Sequence, residues 1–565
     1  MSERSIQVAV CAWHDVPAGA LDACLLALAV AGVPAPIVTR AERGHGLAVA
    51  RNTALAAASA DVLAFLDADV LVAPDWFQAL SAAWARGDDD VAAIAGPIGL
   101  HLTGSRPAWL GDALLGVLGV SDEPRATGAV DPSERTFPAG NLSADTAALR
   151  GVGGFWPARG RAGIHDWHTE DHHAQHELGR AGWRLFYDPA VRTQRRVDVA
   201  QLAARRLIAA RAHSGARAVR IGQPRPSGAG VATFKASAGA LLAATRRQPQ
   251  LAVERAARGA EFAGALAPAI LARDDLTPVS ASTPFRHTVP VPQHERRWRR
   301  PSAPSEPVIL CYHRVATPEH DPLGLCVSPA NFADQLAALQ RTRTIVPLTV
   351  IAEGRAPANA VAITFDDGYV DNLRAALPAL ETAQAPATVF IATGHTASGA
   401  AFWWDELVEL FSEPGGSGRL TVRCSGQDRA WQPRSTATRD AARAHLHAWL
   451  QPVDPSDISE ALRAIRIWAG HDADAAAPGN DSRPMTAAEL RELTGSGLVT
   501  LGAHTRSHIS LRFADDARLA DELAGAATDL TAISGVAPTV LAYPFGVDGV
   551  DVDARVVTEI RRAHV

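Results

Sequence analysis

The chain has 565 residues, too many for one ordinary domain, and its composition of 47% hydrophobic and 20% charged residues is typical of a globular protein with sizeable cores. Its formal net charge of −6 gives no general attraction to nucleic acid or to anionic lipid, so we expect no nucleic-acid partner. The five cysteines are scattered, odd in number and without a CxxC pair, which indicates a reducing compartment and no disulfide framework.

The first residues lead directly into a strand-like run, so no signal peptide is expected. No stretch approaches the roughly 18 to 20 apolar residues that a membrane span needs. We therefore expect a cytoplasmic protein, with peripheral contact to the cell membrane left open. Lys235 is the only lysine among many arginines, a bias that is typical, together with abundant alanine, of a GC-rich bacterial genome.

Alternating strands and helices are predicted at the start of the chain. Residues 6–12 read as a buried strand, 20–31 and 45–59 as helices, and 61–66 as a strand that ends in Asp67-Ala68-Asp69. This alternation indicates an α/β sheet domain. Two carboxylates at a strand end are the oxygen ligands that Mg²⁺ or Mn²⁺ prefers, so an ion held there is able to bridge to phosphates.

Further polar residues stand beside predicted turns and helix starts in this half. Arg51 and Asn52 lie upstream of the Asp-x-Asp pair, Asn141 precedes a glycine-rich segment at 151–155, and Glu170-Asp171 begins a helix. Acidic residues are also favoured at a helix start on capping grounds alone. Together with Asp-x-Asp, the series resembles the family 2-like glycosyltransferases of the GT-A (Rossmann-like) fold over roughly residues 5–220.

The resemblance implies a role for each of these side chains. Asp67 and Asp69 would contact the metal, Mg²⁺ or Mn²⁺, and the diphosphate of a nucleotide-sugar donor. Asp171 would be the base that deprotonates the acceptor hydroxyl. The residues expected near the donor or acceptor are Arg51, Asn52, Asn141 and Glu170.

One segment that this resemblance implies is missing. Members of the family have a second strand followed by an Asp-rich turn that holds the nucleotide base, whereas here the strand-like residues 36–39 have no such turn beside them. Either another residue, such as Asp15, serves that role, or the domain no longer binds a donor well.

The middle of the chain changes character. Residues 224–228 break regular structure, an Ala-rich helical tract is predicted over about 231–273, and the Pro/Arg-rich residues 288–304 predict an extended linker. We expect the tract to pack on the transferase-like domain rather than on a membrane surface. The predicted domains are therefore 1–222, a tract and linker at 223–304, and 305–565.

A second set of motifs begins with Asp366-Asp367-Gly368 after the apolar run 360–363, which predicts a buried strand. Adjacent carboxylates repel each other and are costly to bury, so a positive charge is expected beside them. Further along, His504 and His508 can meet one ion if the segment turns helically. Taken singly, such a carboxylate pair is most often a solvated turn and such histidines surface residues. One Asp with two His nevertheless leaves room for water, as in a catalytic metal site.

With Tyr543-Pro544-Phe545-Gly546 after another apolar run, and a strand-like start at 308–312, this half resembles the NodB-homology polysaccharide deacetylases from about residue 307 onward. The resemblance implies a distorted (β/α) barrel. It also implies a divalent metal, Zn²⁺ by ligand type, whose ligands would be Asp367, His504 and His508.

The same resemblance implies a mechanism. The metal lowers the pKa of a bound water, Asp366 takes its proton as the general base, and hydroxide attacks an acetamide carbonyl. The metal and a backbone N–H near Phe545 would hold the oxyanion, with Tyr543 and Pro544 also at the substrate.

An insertion is predicted at about 402–483 between the deacetylase motifs. Its aromatic side chains are of the kind that stack on sugar rings, but core packing is expected for most of them. They are Phe402, Trp403, Trp404, Trp431, Trp449 and Trp468.

The C-terminal residues depart from the deacetylase resemblance. Beyond Gly546, family members ordinarily continue for several tens of residues, which supply a closing strand and, in many members, a histidine that protonates the leaving amine. Here a helix-like stretch at 553–562 is followed only by residues 563–565, and His564 is a poor substitute for that histidine. We expect an apparently C-terminally incomplete barrel whose exposed strand edges cause weak deacetylation or poor solubility.

The sequence therefore predicts a bifunctional bacterial enzyme of the cell envelope. A nucleotide-sugar-dependent glycosyltransferase would be fused to a chitooligosaccharide-like deacetylase that removes N-acetyl or O-acetyl groups from an amino-sugar polysaccharide or glycolipid. The alternative is a single-activity deacetylase whose N-terminal half is a non-catalytic glycan-binding or scaffold module. The missing base-binding turn favours the alternative, and the Asp-x-Asp and Glu-Asp motifs favour two activities.

Overall fold

The computed structural model describes residues 4–202 except 43–45, 123 and 157–169, residues 306–563 except 413–414, 417, 476–481 and 548, and residue 256. The rest of the predicted tract and linker at 223–304, the boundary at 222 and His564 lie outside the described residues. The chain forms two compact units. The first comprises Met1–Thr277, Gly418–Val422 and Gln427–His445, and the second comprises Pro278–Ser417, Arg423–Gly426 and Leu446–Val565.

The first unit is built on strands that follow one another in chain order as β1 Ile6–Ala12, β2 Ile37–Arg40, β3 Val62–Asp67, β4 Val70–Val72, β5 Val91–Ala95, β6 Ile98–Leu102, β7 Gly128–Val130, β8 Asn141–Asp145, β9 Arg184–Tyr187 and β10 Thr193–Val197. Seven of them form a mixed sheet in the order β2-β1-β3-β8-β5-β9-β7, and β4-β10-β6 form a smaller sheet. The predicted α/β sheet is thus confirmed.

The apolar run of β3 explains how the Asp-x-Asp pair is placed. β3 lies between β1, to which it is parallel, and β8, to which it is antiparallel, and all its residues are buried. A strand covered on both faces needs a continuous apolar sequence, which Val62–Leu66 provides. Asp67 is the last residue of β3, and Asp69 immediately precedes β4.

The helices of the first unit flank these strands. Helix α3 buries Trp76, Leu80, Ala83 and Trp84, the spacing of one apolar helix face. The helices are α1 Ala20–Val30, α2 Leu47–Ala57, α3 Trp76–Arg86, α4 Thr146–Gly151 and α5 Glu170–Arg180, with 3₁₀ turns at Asp112–Leu118 and Val199–Gln201. The two predicted helices at 20–31 and 45–59 are found as α1 and α2.

The strands that follow in the second half of the sequence are β11 Val308–Tyr312, β12 Arg314–Val315, β13 Cys326–Val327, β14 Thr344–Ile345, β15 Ala360–Phe365, β16 Ala387–Ile391, β17 Leu420–Cys424, β18 Gln427–Trp431 and β19 Val499–Ala503. The centre of the second unit is a five-stranded parallel sheet in the order β11-β15-β16-β19, with β14 also paired to β15. A parallel bridge between Ala503 and Leu541 continues the pairing toward the Tyr543-Pro544-Phe545 motif.

The hairpin of β17 and β18 belongs largely to the first unit, although its sequence lies inside the predicted insertion at 402–483. Within that unit the guanidinium of Arg419 donates to both carboxylate oxygens of Asp145, at 2.7 and 3.1 Å. The backbone N–H of Gln432 donates to the carbonyl of Ala181 at 2.9 Å. The first unit thus contains residues from both halves of the sequence.

The helices of the second half are α6 Pro329–Thr342, α7 Leu348–Ala352, α8 Leu377–Ala383, α9 Thr393–Ser398, α10 Trp403–Ser412, α11 Thr436–Leu450, α12 Pro455–Ala469, α13 Ala487–Gly495, α14 Asp516–Ala520, α15 Ala526–Ser534 and α16 Ala554–Ala563. Phe332 and Leu336 of α6 pack with Phe365 of β15 and Leu490 of α13 in the main core. The predicted C-terminal helix is confirmed as α16, whose Val556 packs against the 3₁₀ turn at Leu511–Phe513.

None of the helices that the structure describes is both long enough and apolar enough to cross a lipid bilayer.

Candidate functional site

Three predicted metal ligands converge in the second unit. Asp367 follows β15 and His504 follows β19, so both leave the sheet at the carboxyl ends of parallel strands. The Nε2 atoms of His504 and His508 lie 3.4 and 3.0 Å from Oδ1 of Asp367. All three side chains are buried. The predicted trio is therefore brought together at one edge of the sheet.

The turn that carries the two histidines is not the helical turn expected from their spacing. Thr505 and His508 have φ of +63° and +52°, the left-handed region that side chains rarely adopt. The Thr505 hydroxyl accepts a hydrogen bond from the backbone N–H of His508 at 3.1 Å. Asp367 also has a positive φ of +71°. The local backbone is strained at all three positions, a feature that clusters at functional sites.

The donor set fits a divalent metal. The ligand atoms of Asp367, His504 and His508 all lie within 4.8 Å of one another, close enough to share one ion. Among the described residues, Asp367 Oδ1 is buried without a hydrogen-bond partner. Nδ1 of His504 lies 3.0 Å from the carbonyl of Ala542, so the Nδ1–H tautomer directs an unprotonated Nε2 at Asp367. One carboxylate with two imidazoles is typical of a catalytic zinc site.

The charges of the trio depend strongly on one another. Burial alone would raise the pKa of Asp367, but the two neighbouring imidazoles hold it well below its ordinary value. The pKa of His504 is raised overall, because contact with the two adjacent carboxylates outweighs the opposing effect of burial. The pKa of His508 is lowered, and burial is the main cause. The carboxylate is therefore ionised, as a metal ligand has to be.

The predicted base, Asp366, and the Tyr543-Pro544-Phe545 segment lie around this trio. Asp366 is half-buried, its N–H donates to the carbonyl of Tyr312 at 2.9 Å, and its Oδ2 accepts from Cys311 Sγ at 3.2 Å. The ring of Phe545 meets the ring of His508 edge to face at 4.9 Å. Pro544 is buried and Tyr543 half-buried beside it.

An aromatic wall beside His508 was not assigned to the site from the sequence. The Trp404 ring lies 4.6 Å from the His508 ring and stacks on Phe402 at the same centroid distance, 4.6 Å. Its Nε1 donates to the hydroxyl of Tyr369 at 2.9 Å. The packing expectation is thus borne out for the buried aromatic residues Phe402, Trp404, Trp431 and Trp449. Trp404 additionally packs against one side of the His508 ring.

A cavity of about 200 Å³ opens beside the same histidine. Its lining includes His508, Trp403 and Arg466. His395 lines it too, and burial lowers the pKa of that imidazole to about 4, so it is neutral at neutral pH. No motif in the sequence pointed to His395. The cavity thus lies directly beside His508, one of the three predicted metal ligands.

The Asp-x-Asp pair of the first unit is enclosed by arginines. Arg195 of β10 donates through Nη2 to Asp67 at 2.6 Å and through Nη1 to Asp69 at 2.8 Å. Arg51 of α2 donates to the other oxygen of Asp67 at 2.8 Å and to Glu170 at 2.8 Å. Arg195 is 1% exposed. The negative charges of Asp67 and Asp69 are therefore already paired with arginine side chains of the same unit.

Two glycines make the space for this guanidinium. A Cβ at Gly140 would lie 2.8 Å from Arg195 Nη2, and one at Gly119 would lie 2.9 Å from Arg195 Nε. In this arrangement Arg195 stands where an ion shared by Asp67 and Asp69 would be, so the donor set does not fit a divalent metal. Binding of Mg²⁺ or Mn²⁺ by Asp67 and Asp69 stays a prediction, and the position of Arg195 does not favour it.

The remaining expected substrate residues of the first unit have internal partners. Asn52 exchanges hydrogen bonds with the backbone of Phe155, and the Asn141 amide donates to the carbonyl of Val191 at 2.7 Å. Asp171 is buried and accepts from the N–H of Ala139 at 2.9 Å. Burial raises the pKa of Glu170 to about 7, with Arg51 opposing the shift. Their roles toward a donor or acceptor stay predictions.

Two family models match the chain. Glycosyl transferase family 2 matches residues 30–109, and Polysaccharide deacetylase matches residues 353–422 and 464–564. The two resemblances seen in the motifs are thereby confirmed: one segment of the chain is similar to the family 2 glycosyltransferases and another to the polysaccharide deacetylases. No curated protein is significantly similar to the chain in sequence.

Several solved structures are similar to parts of the chain. A polysaccharide deacetylase from Bacillus cereus is 18% identical with a TM-score of 0.28, covering 46% of this chain and 56% of its own. IcaB from Ammonifex degensii is 19% identical with a TM-score of 0.28, covering 46% and 81%. A mannosyltransferase from Pyrobaculum calidifontis, in complex with GDP-Man and Mn²⁺, is 19% identical with a TM-score of 0.26, covering 47% and 76%.

The chain spans little more than half the length of some of these proteins. It covers 56% of the Bacillus cereus protein and 54% of a putative polysaccharide deacetylase from Bacillus anthracis.

Proposed function

We propose that the second unit is a metal-dependent deacetylase that hydrolyses N-acetyl groups, or O-acetyl groups, on an amino-sugar polysaccharide or glycolipid. The convergence of Asp367, His504 and His508 on one buried point, with the carboxylate of Asp366 next in sequence, is the observation that supports it. Zinc is the metal that this mixture of imidazole and carboxylate ligands suits best.

Each residue around the proposed metal site has a separate role in the proposed reaction. Asp367, His504 and His508 would hold a divalent ion, which would supply a Lewis acid that lowers the pKa of water. Asp366 accepts the proton of the attacking water at its carboxylate, which its backbone hydrogen bond to Tyr312 holds in place. A backbone N–H near Phe545 stabilises the oxyanion. Trp404 and Phe545 exclude bulk water from one side of His508 and so strengthen these polar interactions.

The chemical class of the substrate can be tested by measuring two products at once. Hydrolysis of an N-acetyl group releases one acetate and one primary amine, whereas hydrolysis of an O-acetyl ester releases acetate without an amine. We expect acetate and amine in equal amounts from N-acetylglucosamine oligomers of the chitooligosaccharide type. Acetate released only from O-acetylated glycans would reassign the substrate, and no acetate from either class would reject the deacetylase proposal.

For the first unit we infer a nucleotide-sugar-dependent glycosyltransferase, supported by its match to the glycosyl transferase family 2 model. Asp171 at the start of α5 is the proposed base for the acceptor hydroxyl. The second candidate is a non-catalytic glycan-binding or scaffold module. The ion pairs that occupy Asp67 and Asp69 favour this second candidate. Asp15, the expected substitute for the base-binding turn, is exposed, and its role toward a nucleotide base stays a prediction.

Asp171→Asn is expected to separate the two candidates. If the first unit is a transferase, this change removes the base and lowers sugar transfer by about 10²- to 10⁴-fold while acetate release is unchanged. The matched control is Asp22→Asn on the exposed side of α1, which should alter neither activity. Transfer is measured as nucleotide released from a panel of nucleotide sugars. Absence of transfer in the unmodified protein would favour the scaffold module.

The biological setting of both activities stays a prediction. An amino-sugar glycan of the bacterial envelope is the proposed substrate, and the cytoplasm, with or without peripheral contact to the membrane, is the proposed location.

A further inference from the structure

We propose that Cys311, His313 and Asp366 form a second, inhibitory binding site for a zinc-like cation beside the catalytic centre. One donor atom from each of these residues lies within 4.8 Å of the others. Cys311 Sγ lies 3.2 Å from Asp366 Oδ2. None of the trio's ligands is part of this set, so the two sites do not share a residue.

The strand register explains why these three residues meet. Parallel pairing of β11 with β15 places Cys311 opposite Thr364 and Tyr312 opposite Phe365. The N–H of Asp366 continues the ladder by donating to the carbonyl of Tyr312 at 2.9 Å. Residues two apart on an extended chain point to the same side, so Cys311 and His313 flank the position of Asp366. The cluster is therefore fixed by the sheet rather than by a loose surface loop.

The chemistry of the donors selects the ligand. A thiolate, an imidazole and a carboxylate are together the donors that Zn²⁺ and Cd²⁺ accept, whereas Mg²⁺ and Ca²⁺ prefer oxygen alone. Cys311 is exposed, and the other two residues are half-buried, so a cation reaches the cluster from solvent. On coordination the Cys311 Sγ–H bond breaks, sulfur keeps the electron pair for the metal, and the proton leaves to buffer. No oxidant or reductant is needed.

The proposed effect on activity rests on the proposed deacetylase function. A carboxylate that donates its electrons to a cation no longer accepts a proton from water, so an ion at this cluster disables Asp366 as a base. One equivalent of zinc at Asp367, His504 and His508 then supports turnover, and further zinc at the second cluster suppresses it. Acetate release should rise and then fall as zinc is added.

Cadmium provides a test of binding that does not require any activity. Cd²⁺ bound to a thiolate gives an ultraviolet charge-transfer band, which the trio cannot produce because it contains no sulfur. We expect this band when Cd²⁺ is added to the full chain, and we expect it to persist in His504→Ala. The band should disappear in Cys311→Ser. In His313→Ala the apparent affinity for Cd²⁺, read from the same band, should fall at least about tenfold. Cys326→Ser, which removes a half-buried thiol of β13, is the matched control and should keep the band.

Four outcomes would overturn the proposal. Absence of the band in the unmodified chain, or its survival in Cys311→Ser, would show that no metal binds through this thiol. If the band follows Cys311 but excess Zn²⁺ suppresses acetate release equally in Cys311→Ser, the site exists without controlling the base, and its inhibitory role is wrong. If excess Zn²⁺ raises the rate, the cluster assists catalysis instead. Should the chain release no acetate under any condition, the cadmium band still decides whether the site exists.

Discussion

Asp366→Asn is expected to lower acetate release by about 10²- to 10⁴-fold and to leave the bound metal in place, because the amide cannot accept the proton of water and Asp366 is not one of the trio. His504→Ala or His508→Ala should remove activity and metal together, since two ligands rarely hold zinc. Metal content by elemental analysis, measured on the same samples as acetate release, separates these two kinds of loss.

The matched control for Asp366→Asn is Asp334→Asn, the same chemical change on the exposed side of α6. It should change neither metal content nor rate. Near-full activity in Asp366→Asn would show that the base is another group, and loss of metal in that variant would show that Asp366 is a ligand of the catalytic ion.

Arg195→Met is the change expected to harm the first unit most. It removes a guanidinium that contacts both Asp67 and Asp69 and leaves two buried carboxylates without that partner. Breaking a buried ion pair in this way costs about 3 to 5 kcal/mol. Hydrogen exchange of the amides of β3 and β10 reports the free energy of opening of this unit separately from the rest of the chain.

Arg192→Met is the control for Arg195→Met, because Arg192 pairs with Asp75 at 2.8 Å on the surface close to the start of β10. An exposed pair contributes less than about 1 kcal/mol, so exchange in β3 should hardly change. Added Mn²⁺ should slow exchange in Arg195→Met, whose freed carboxylates become available as ligands, and not in the unmodified chain. Equal exchange in Arg195→Met and the unmodified chain would mean that Arg195 does not stabilise the Asp-x-Asp pair.

The trio of Asp367, His504 and His508 was predictable from sequence because each of its residues lies in a short local sequence pattern. An apolar run predicted β15, and the carboxylates that end it gave the position of Asp367. The spacing of His504 and His508 suggested that they share one ion, and the structure brings the two side chains together through left-handed residues instead of a helical turn. Local patterns therefore predicted which side chains meet, although they misjudged the backbone conformation that brings them together.

The partners of the Asp-x-Asp pair were not predictable in the same way. The pattern shows that two adjacent carboxylates need positive charge, but a metal ion and a guanidinium satisfy that need equally well. Arg195 is far from Asp67 in sequence and reaches it because β10 pairs with β4, a register that no local motif encodes. Cys311 and His313 escaped notice for the same reason, since their closeness to Asp366 depends on the pairing of β11 with β15.

The central proposal is that deacetylation requires a metal held by Asp367, His504 and His508. It is tested most directly by removing that metal and restoring it. Acetate release from N-acetylated oligosaccharide is measured on the full chain before chelation, after chelation with elemental analysis confirming the loss, and after adding back zinc. We expect the rate to vanish with the metal and to return fully with about one equivalent of zinc per chain, but not to return in His508→Ala. An unchanged rate in protein shown to be free of metal would contradict the account.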